Sequence, residues 1–226
     1  MSGAWLILET SGRSRVGVAV GGAVAAAEDL PAGRQQNRHL LPTVERLIRH
    51  CGLTPRGLTH IAVGVGPGSY TGLRVGLTAT KTLAYALGCS LVAVPTFAAI
   101  AADVPGTVDV IGDALQGTIY VQRFTDGQAV SDLRIERFDE WVTSAPLSPA
   151  GRGVGGEGVL SVAGPGLGVF GPKLPAEVAR SSVVEPSVEA VFRVAQSLPP
   201  LTVEEMMRLE PLYLRGSSAE EKAKRG

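Results

Sequence analysis

At 226 residues, 45% hydrophobic and 19% charged, the chain has the composition of an ordinary globular protein, with length for one large or two small domains. Its 21 basic and 21 acidic residues cancel, which excludes a global field drawing it to nucleic acid or to an anionic membrane. Two cysteines, Cys51 and Cys89, exclude a disulfide framework or a metal-ligand spacing and read as small buried hydrophobes in a reducing compartment.

The apolar run 4–8 is cut short by Glu9 and has no basic lead, so it does not read as a secretory signal. No run of about 18 apolar residues follows, so a cytoplasmic protein is expected. Residues 5–9, 16–20 and 23–28 alternate or run apolar between the Thr10-Ser11-Gly12-Arg13-Ser14 and Gly21-Gly22 turns, which predicts a three-stranded meander. A helix then begins at Asn37 or Arg38, with Leu40, Leu41, Val44, Leu47 and Ile48 as its apolar stripe, Pro42 in its first turns and Gly52 closing it.

The strand 61–65 runs into Gly66-Pro67-Gly68-Ser69-Tyr70-Thr71-Gly72-Leu73-Arg74, the densest run of special residues in the chain. Ser69 or Thr71 can cap a helix there, and Leu73, Leu77, Thr80, Ala84 and Leu87 recur at helical spacing up to Gly88. Gly72 and Gly76 lie one turn apart within it, where each glycine costs roughly 1 kcal/mol against alanine, so close approach of another backbone must repay them. Two readings of the turn stand: a phosphate cradle at a helix N-terminus, or a structural corner that allows close helix packing. The second is favoured, because no Lys-Ser/Thr pair follows Gly72.

A buried strand at 91–94 and a helix from Pro95-Thr96 through Ala102 come next. Residues 108–113, a turn at Gln116-Gly117, 118–124, a turn at Asp126-Gly127 and 128–130 then repeat the opening order of strand, acid, glycine turn, strand, turn and strand. Such a repeat points to a duplicated α/β lobe. Residues 146–158 are rich in proline and glycine and read as a surface loop, 159–166 as a strand and turn, and 187–197 as a helix. Pro211-Leu212-Tyr213-Leu214-Arg215 reads as a docked segment, and 216–226 as a frayed, disordered tail. The expected lobes are 1–104 and 105–215.

The run Gly66 to Arg74 as spelled above, continued by Val75-Gly76, resembles the signature of the TsaB (YeaZ) family. Leu6-Ile7-Leu8-Glu9-Thr10-Ser11, Arg38-His39-Leu40-Leu41-Pro42, Asp113-Ala114 with Gly117 and Tyr120, and the 211–215 ending resemble further pieces in the family's order. The resemblance covers nearly the whole chain and is loose over 125–200. It implies an α/β fold of the actin-like ATPase (ribonuclease H-like) type, with two duplicated lobes of mixed sheet and flanking helices. It also implies a non-catalytic scaffold role in tRNA N6-threonylcarbamoyladenosine modification beside the anticodon. The partners so implied are a TsaD-like transferase, a TsaE-like ATPase and, when alone, a second copy in a homodimer. tRNA would be met through the complex, and ATP and Mg would belong to the partner proteins rather than bind tightly here. Helices matching 38–51 and 71–87 form the family's interface, so Leu40, Leu41, Val44, Leu47, Ile48, Gly72, Leu73, Arg74, Gly76 and Thr80 are the interface candidates. The bland alternative is that both helices cover their own sheet.

Glu9, Ser11, Gly12 and Asp113 are the weak cofactor candidates, since a phosphate-binding member of this fold needs two acids and two glycine turns. Glu9 replaces the family's aspartate and Leu115 its arginine, and Gly164-Pro165-Gly166 is not a convincing adenosine pattern. Arg34, Arg38, Arg46, Arg49 and Arg56, opposed by Glu45, are a solvated helix face or a patch for an acidic partner or tRNA. An ATPase or kinase acting alone is one alternative function. A peptidase is another, disfavoured because His39, His50 and His60 lack zinc spacing and no serine sits in a Gly-x-Ser-x-Gly elbow.

Overall fold

A computed structural model describes residues 3–31, 36–145 and 161–212. Arg34, the whole of the proline- and glycine-rich loop 146–158, the Tyr213-Leu214-Arg215 ending and the tail 216–226 lie outside the described residues.

The first lobe contains β1 (Trp5–Glu9), β2 (Arg15–Val20), β3 (Ala23–Asp29), α1 (Gln36–His50), β4 (His60–Gly64), α2 (Tyr70–Leu87), β5 (Ser90–Val94) and α3 (Thr96–Ala101). The second contains β6 (Thr107–Asp113), β7 (Thr118–Thr125), β8 (Gln128–Ala129), β9 (Arg134–Arg137), α4 (Phe138–Ser144), β10 (Ser161–Ala163), α5 (Leu167–Phe170) and β11 (Ala179–Arg180). The chain ends with α6 (Val188–Ser197) and α7 (Val203–Arg208). The meander forms as expected, with φ of 63° and 88° at Gly21 and Gly22, the left-handed pair that a two-residue hairpin turn requires.

The first sheet has the order β3-β2-β1-β4-β5 and the second β11-β10-β6-β7-β8, with β9 also on β7. Reversed, the second order matches the first strand for strand. In each sheet an antiparallel meander, β1–β2–β3 or β6–β7–β8, is joined by parallel strands on the far side of its first member. The lobes are therefore two copies of one plan, and the fold is the duplicated α/β architecture read from the sequence.

β1 explains why its five residues read as one apolar run: it is central and covered on both faces. Leu6 and Leu8 join the core beneath α1 and α2, whereas Trp5 and Ile7 join the core beneath α6. Packing runs across the expected 104/105 boundary in both directions. α3, from the first lobe, drives Phe97 and Ile100 into the core with Val108, Val110 and Phe124 of the second sheet. α6, after the second lobe's last strand, carries Val191 and Phe192 back to the first sheet. Each sheet buries its inner face beneath a helix that follows the other's final strand, so a cut by sequence position divides both cores.

β9, α4, α5, β11 and α7 were not read from the sequence. They are short, and α4 holds only two fully committed anchors, Phe138 and Trp141. Trp141 Nε1 donates to Asp109 Oδ2 at 3.1 Å, and Arg123 grips the same buried carboxylate with bonds of 2.7 and 2.8 Å. That polar contact joins the apolar packing of Phe138 and Trp141, with Phe138 stacked on Phe170 at 4.6 Å, in docking α4.

Candidate functional site

The glycine run closes on the β1–β2 turn. After a cis Gly66-Pro67 bond, Gly66 has φ of 100°, its N–H reaching Thr96 Oγ1 at 3.2 Å and its carbonyl accepting from Thr96 N–H at 2.9 Å. The Ser69 side chain caps α2 by accepting from Gly72 N–H at 3.2 Å, while the Ser69 N–H donates to the Ser11 carbonyl at 2.6 Å. A Cβ at Gly68 would overlap the Ser11 carbonyl, one at Gly72 the Thr10 carbonyl, and one at Gly76 the Thr10 hydroxyl. The close backbone approach inferred from paired glycines is present, and its object is the chain's own turn. This corrects the expectation that Gly72 and Gly76 admit a partner helix.

Glu9, at the end of β1, is sealed beneath this junction at 1% exposure. Its Oε1 accepts from the Ser11 N–H at 2.6 Å and its Oε2 from the Thr96 hydroxyl at 3.2 Å, and Gly64 has no room for a side chain against it. Burial pushes the carboxyl above its usual range, and the bonds from Ser11 and Thr96 oppose that rise only in part. Ser11 joins Glu9 on the same turn. Gly12 instead lies under Glu185, and Asp113 stands on the equivalent β6–β7 turn, capping the Leu115 N–H at 2.7 Å. Glu9 points inward, so its oxygens are spent on tying β1 to the start of α3.

The interface candidates divide sharply. Leu40, Val44, Leu47 and Ile48 are buried against the first sheet, which is the bland alternative, and Leu73 and Thr80 are buried as well, Thr80 bonding the Gly76 and Leu77 carbonyls of its own helix. The stripe faces inward because β1, β2 and β4 offer it Leu6, Leu8, Val16, Val18, Ile61 and Val63. Leu41 is 54% exposed and Arg74 also faces outward. On α2 the Arg74 guanidinium lies 4.2 Å from the centroid of Tyr70, itself 40% exposed, and Tyr85 is 69% exposed further along the same face. Tyr70 and Tyr85 were missed: Tyr70 flanks the Leu73, Leu77, Thr80 and Ala84 stripe at the first turn of α2, and Tyr85 lies further round the helix, beyond the stripe's edge. A second aromatic ring outside the apolar stripe, at Tyr85, was the available signal.

α7 and the segment after it hold this helix through Lys81, which lies on the same side of α2 as Tyr70, Arg74 and Tyr85. Lys81 Nζ donates to the carbonyls of Met207 at 2.8 Å and Leu209 at 3.1 Å, and Leu212 N–H bonds the Val65 carbonyl at 2.9 Å beside the glycine turn. Thr202 and Glu205 form the capping box that starts α7, a Thr-x-x-Glu pattern readable in the sequence. The arginine run is partly neutralised: Arg46 pairs with Glu28 of β3 and Arg49 with Glu45. His60 stacks on Trp5 at 4.2 Å and 10°, a packing role.

The family profile described as "TsaD: tRNA N6-adenosine threonylcarbamoyltransferase" matches residues 29–149, more than half of the chain. The chain belongs to this family. Within it, the TsaB resemblance is borne out by the tRNA threonylcarbamoyladenosine biosynthesis protein TsaB of Bacillus subtilis, 40% identical over 83 residues, 35% of this chain and 36% of that protein. A tRNA N6-adenosine threonylcarbamoyltransferase of Anaeromyxobacter dehalogenans is 34% identical over 122 residues, 48% of this chain and 36% of that one. The matched stretches thus span about a third of the length of these curated relatives. YeaZ from Pseudomonas aeruginosa superposes with a TM-score of 0.75 over 95% of this chain and 100% of that one at 23% identity, a likeness of fold. No helix among the described residues of this TsaD-family chain is long and apolar enough to cross a membrane.

Proposed function

We propose that this TsaB-like chain is a non-catalytic subunit of tRNA threonylcarbamoyladenosine biosynthesis, acting in the cytoplasm by pairing with and activating a TsaD-like transferase. The observation that carries this reading is the glycine junction. The α2 start that a phosphate would need is packed against Thr10 and Ser11, and the acid beside it, Glu9, is consumed by internal hydrogen bonds. What α2 turns outward is a braced face with Tyr70, Arg74 and Tyr85, residue types enriched where proteins meet.

On this reading the α2 face, together with exposed Leu41 of α1, meets the transferase or, in its absence, a second copy of the chain. A TsaE-like ATPase joins the assembly, tRNA is engaged through the complex, and ATP and Mg reside in the partners. The test is reconstitution. The purified chain and its cognate transferase are expected to co-elute, and threonylcarbamoylation of tRNA is expected to require both. Absence of co-elution together with full modification by the transferase alone refutes the proposal.

A further inference from the structure

Between the two lobes the chain crosses back at residues 181–187, and there Glu185 is laid over the β1–β2 turn. The Arg13 N–H donates to Glu185 Oε1 at 3.1 Å, and the Arg15 guanidinium stands 3.6 Å from Oε2 while its other end holds the Pro186 carbonyl. The carboxylate lies so close over Gly12 that a Cβ there would come within 2.9 Å of Oε1. Arg13 and Arg15 are also shared by Asp29, at 3.2 and 2.9 Å. The group is therefore balanced in charge with Glu185 present and carries one excess positive charge without it. Asp103, the further acid at this cleft, is engaged by Arg193 and by the Ser187 hydroxyl. The cleft has a volume of about 490 Å³ and is walled by Arg13, Arg15, Asp103 and residues 182–185.

A glycine that leaves its backbone uncovered, a backbone N–H and a guanidinium aimed at two oxygens of one group make a receptor for a small oxyanion. We propose that Glu185 is an internal plug: its carboxylate fills an oxyanion position built by Gly12, Arg13 and Arg15, and the cleft accepts a phosphate-type anion only when that carboxylate is withdrawn. The plug also staples the returning crossover to the first lobe, so withdrawing it loosens the second lobe's hold on the β1–β2 turn.

The experiment titrates the isolated full chain, without the transferase, with inorganic pyrophosphate and separately with ADP at low salt by calorimetry. Its outcome is thus independent of the pairing proposed above. Glu185→Ala is expected to bind pyrophosphate at least about tenfold more tightly than the unaltered chain. Glu185→Gln, which keeps the shape and removes the charge, is expected to fall between them and serves if the alanine variant does not fold. Adding Arg15→Ala to Glu185→Ala is expected to abolish the gain. Equal gains for both ligands mark a bare phosphate site, and a larger gain for ADP marks a nucleotide site. Affinities within about twofold of one another for all variants, or a gain that survives loss of Arg15, overturn the proposal.

Discussion

Replacing Gly76 by alanine separates the two uses of a glycine inside a helix. If the bare backbone at 76 served only a partner, the isolated chain would gain about 1 kcal/mol of stability from the better helix former. In the structure, however, the added methyl overlaps the Thr10 hydroxyl and stands 3.1 Å from Thr10 Cγ2 and 3.2 Å from Thr10 Cβ. Thr10 cannot swing away, since it is buried on the turn that Ser11 and Ser69 pin together. Overpacking of this severity costs about 3 kcal/mol, so the net effect is a loss of about 2 kcal/mol, or about 4–8 °C of Tm at this chain length. Urea unfolding followed by circular dichroism measures it. Thr10→Ala removes the hydroxyl and Cγ2, and because that hydroxyl makes no hydrogen bond among the described residues, its loss costs little alone. In the Gly76→Ala background it is expected to recover more than about 1 kcal/mol, a coupling that distant sites do not display. A Gly76→Ala chain as stable as the original, or more so, refutes the intramolecular account of the glycines.

Glu9 gives a pH signature: its folded pKa is raised above 4.5, so the folded state holds the proton more tightly than the unfolded chain. Its contribution is full below that value and is lost as pH rises through the folded pKa. Glu9→Gln is expected to flatten this part of the stability–pH curve and to match or exceed the original chain at neutral pH, as read from urea midpoints. An advantage of the original chain that grows toward neutral pH contradicts it. Trp141→Phe leaves the buried Asp109 without one of its donors and is expected to cost roughly 1.5–3 kcal/mol in chemical denaturation. A cost near zero means that Asp109 does not hold α4. Tyr85→Ala, and Arg74→Glu with it, are expected to weaken association with the transferase by about tenfold or more in calorimetry while leaving the melting curve of the isolated chain in place. Leu40→Asp is expected to unfold the chain rather than release a folded monomer, because Leu40 lies in the core beneath α1. A soluble, cooperatively melting Leu40→Asp variant counts against that placement.

Periodicity and turn chemistry are local, and what they govern was legible along the chain: the meander, both long helices, the left-handed Gly88 ending α2 and the repetition of one plan in the second half. The glycine run was legible too, including the requirement that a backbone lie against Gly72 and Gly76. Its identity was not, since a missing Cβ records that something is near without recording what. The same limit applies to the α1 stripe, because an apolar face is written identically whether a sheet of the same chain or a partner covers it. Only the tertiary structure decided that Thr10 meets the glycines, that the first sheet takes Leu40, Val44, Leu47 and Ile48, and that α3 and α6 exchange lobes. It also decided that Glu185 settles on Gly12, a meeting of residues far apart in sequence. Such contacts depend on how the two sheets are joined in space, and no spacing along the chain encodes that.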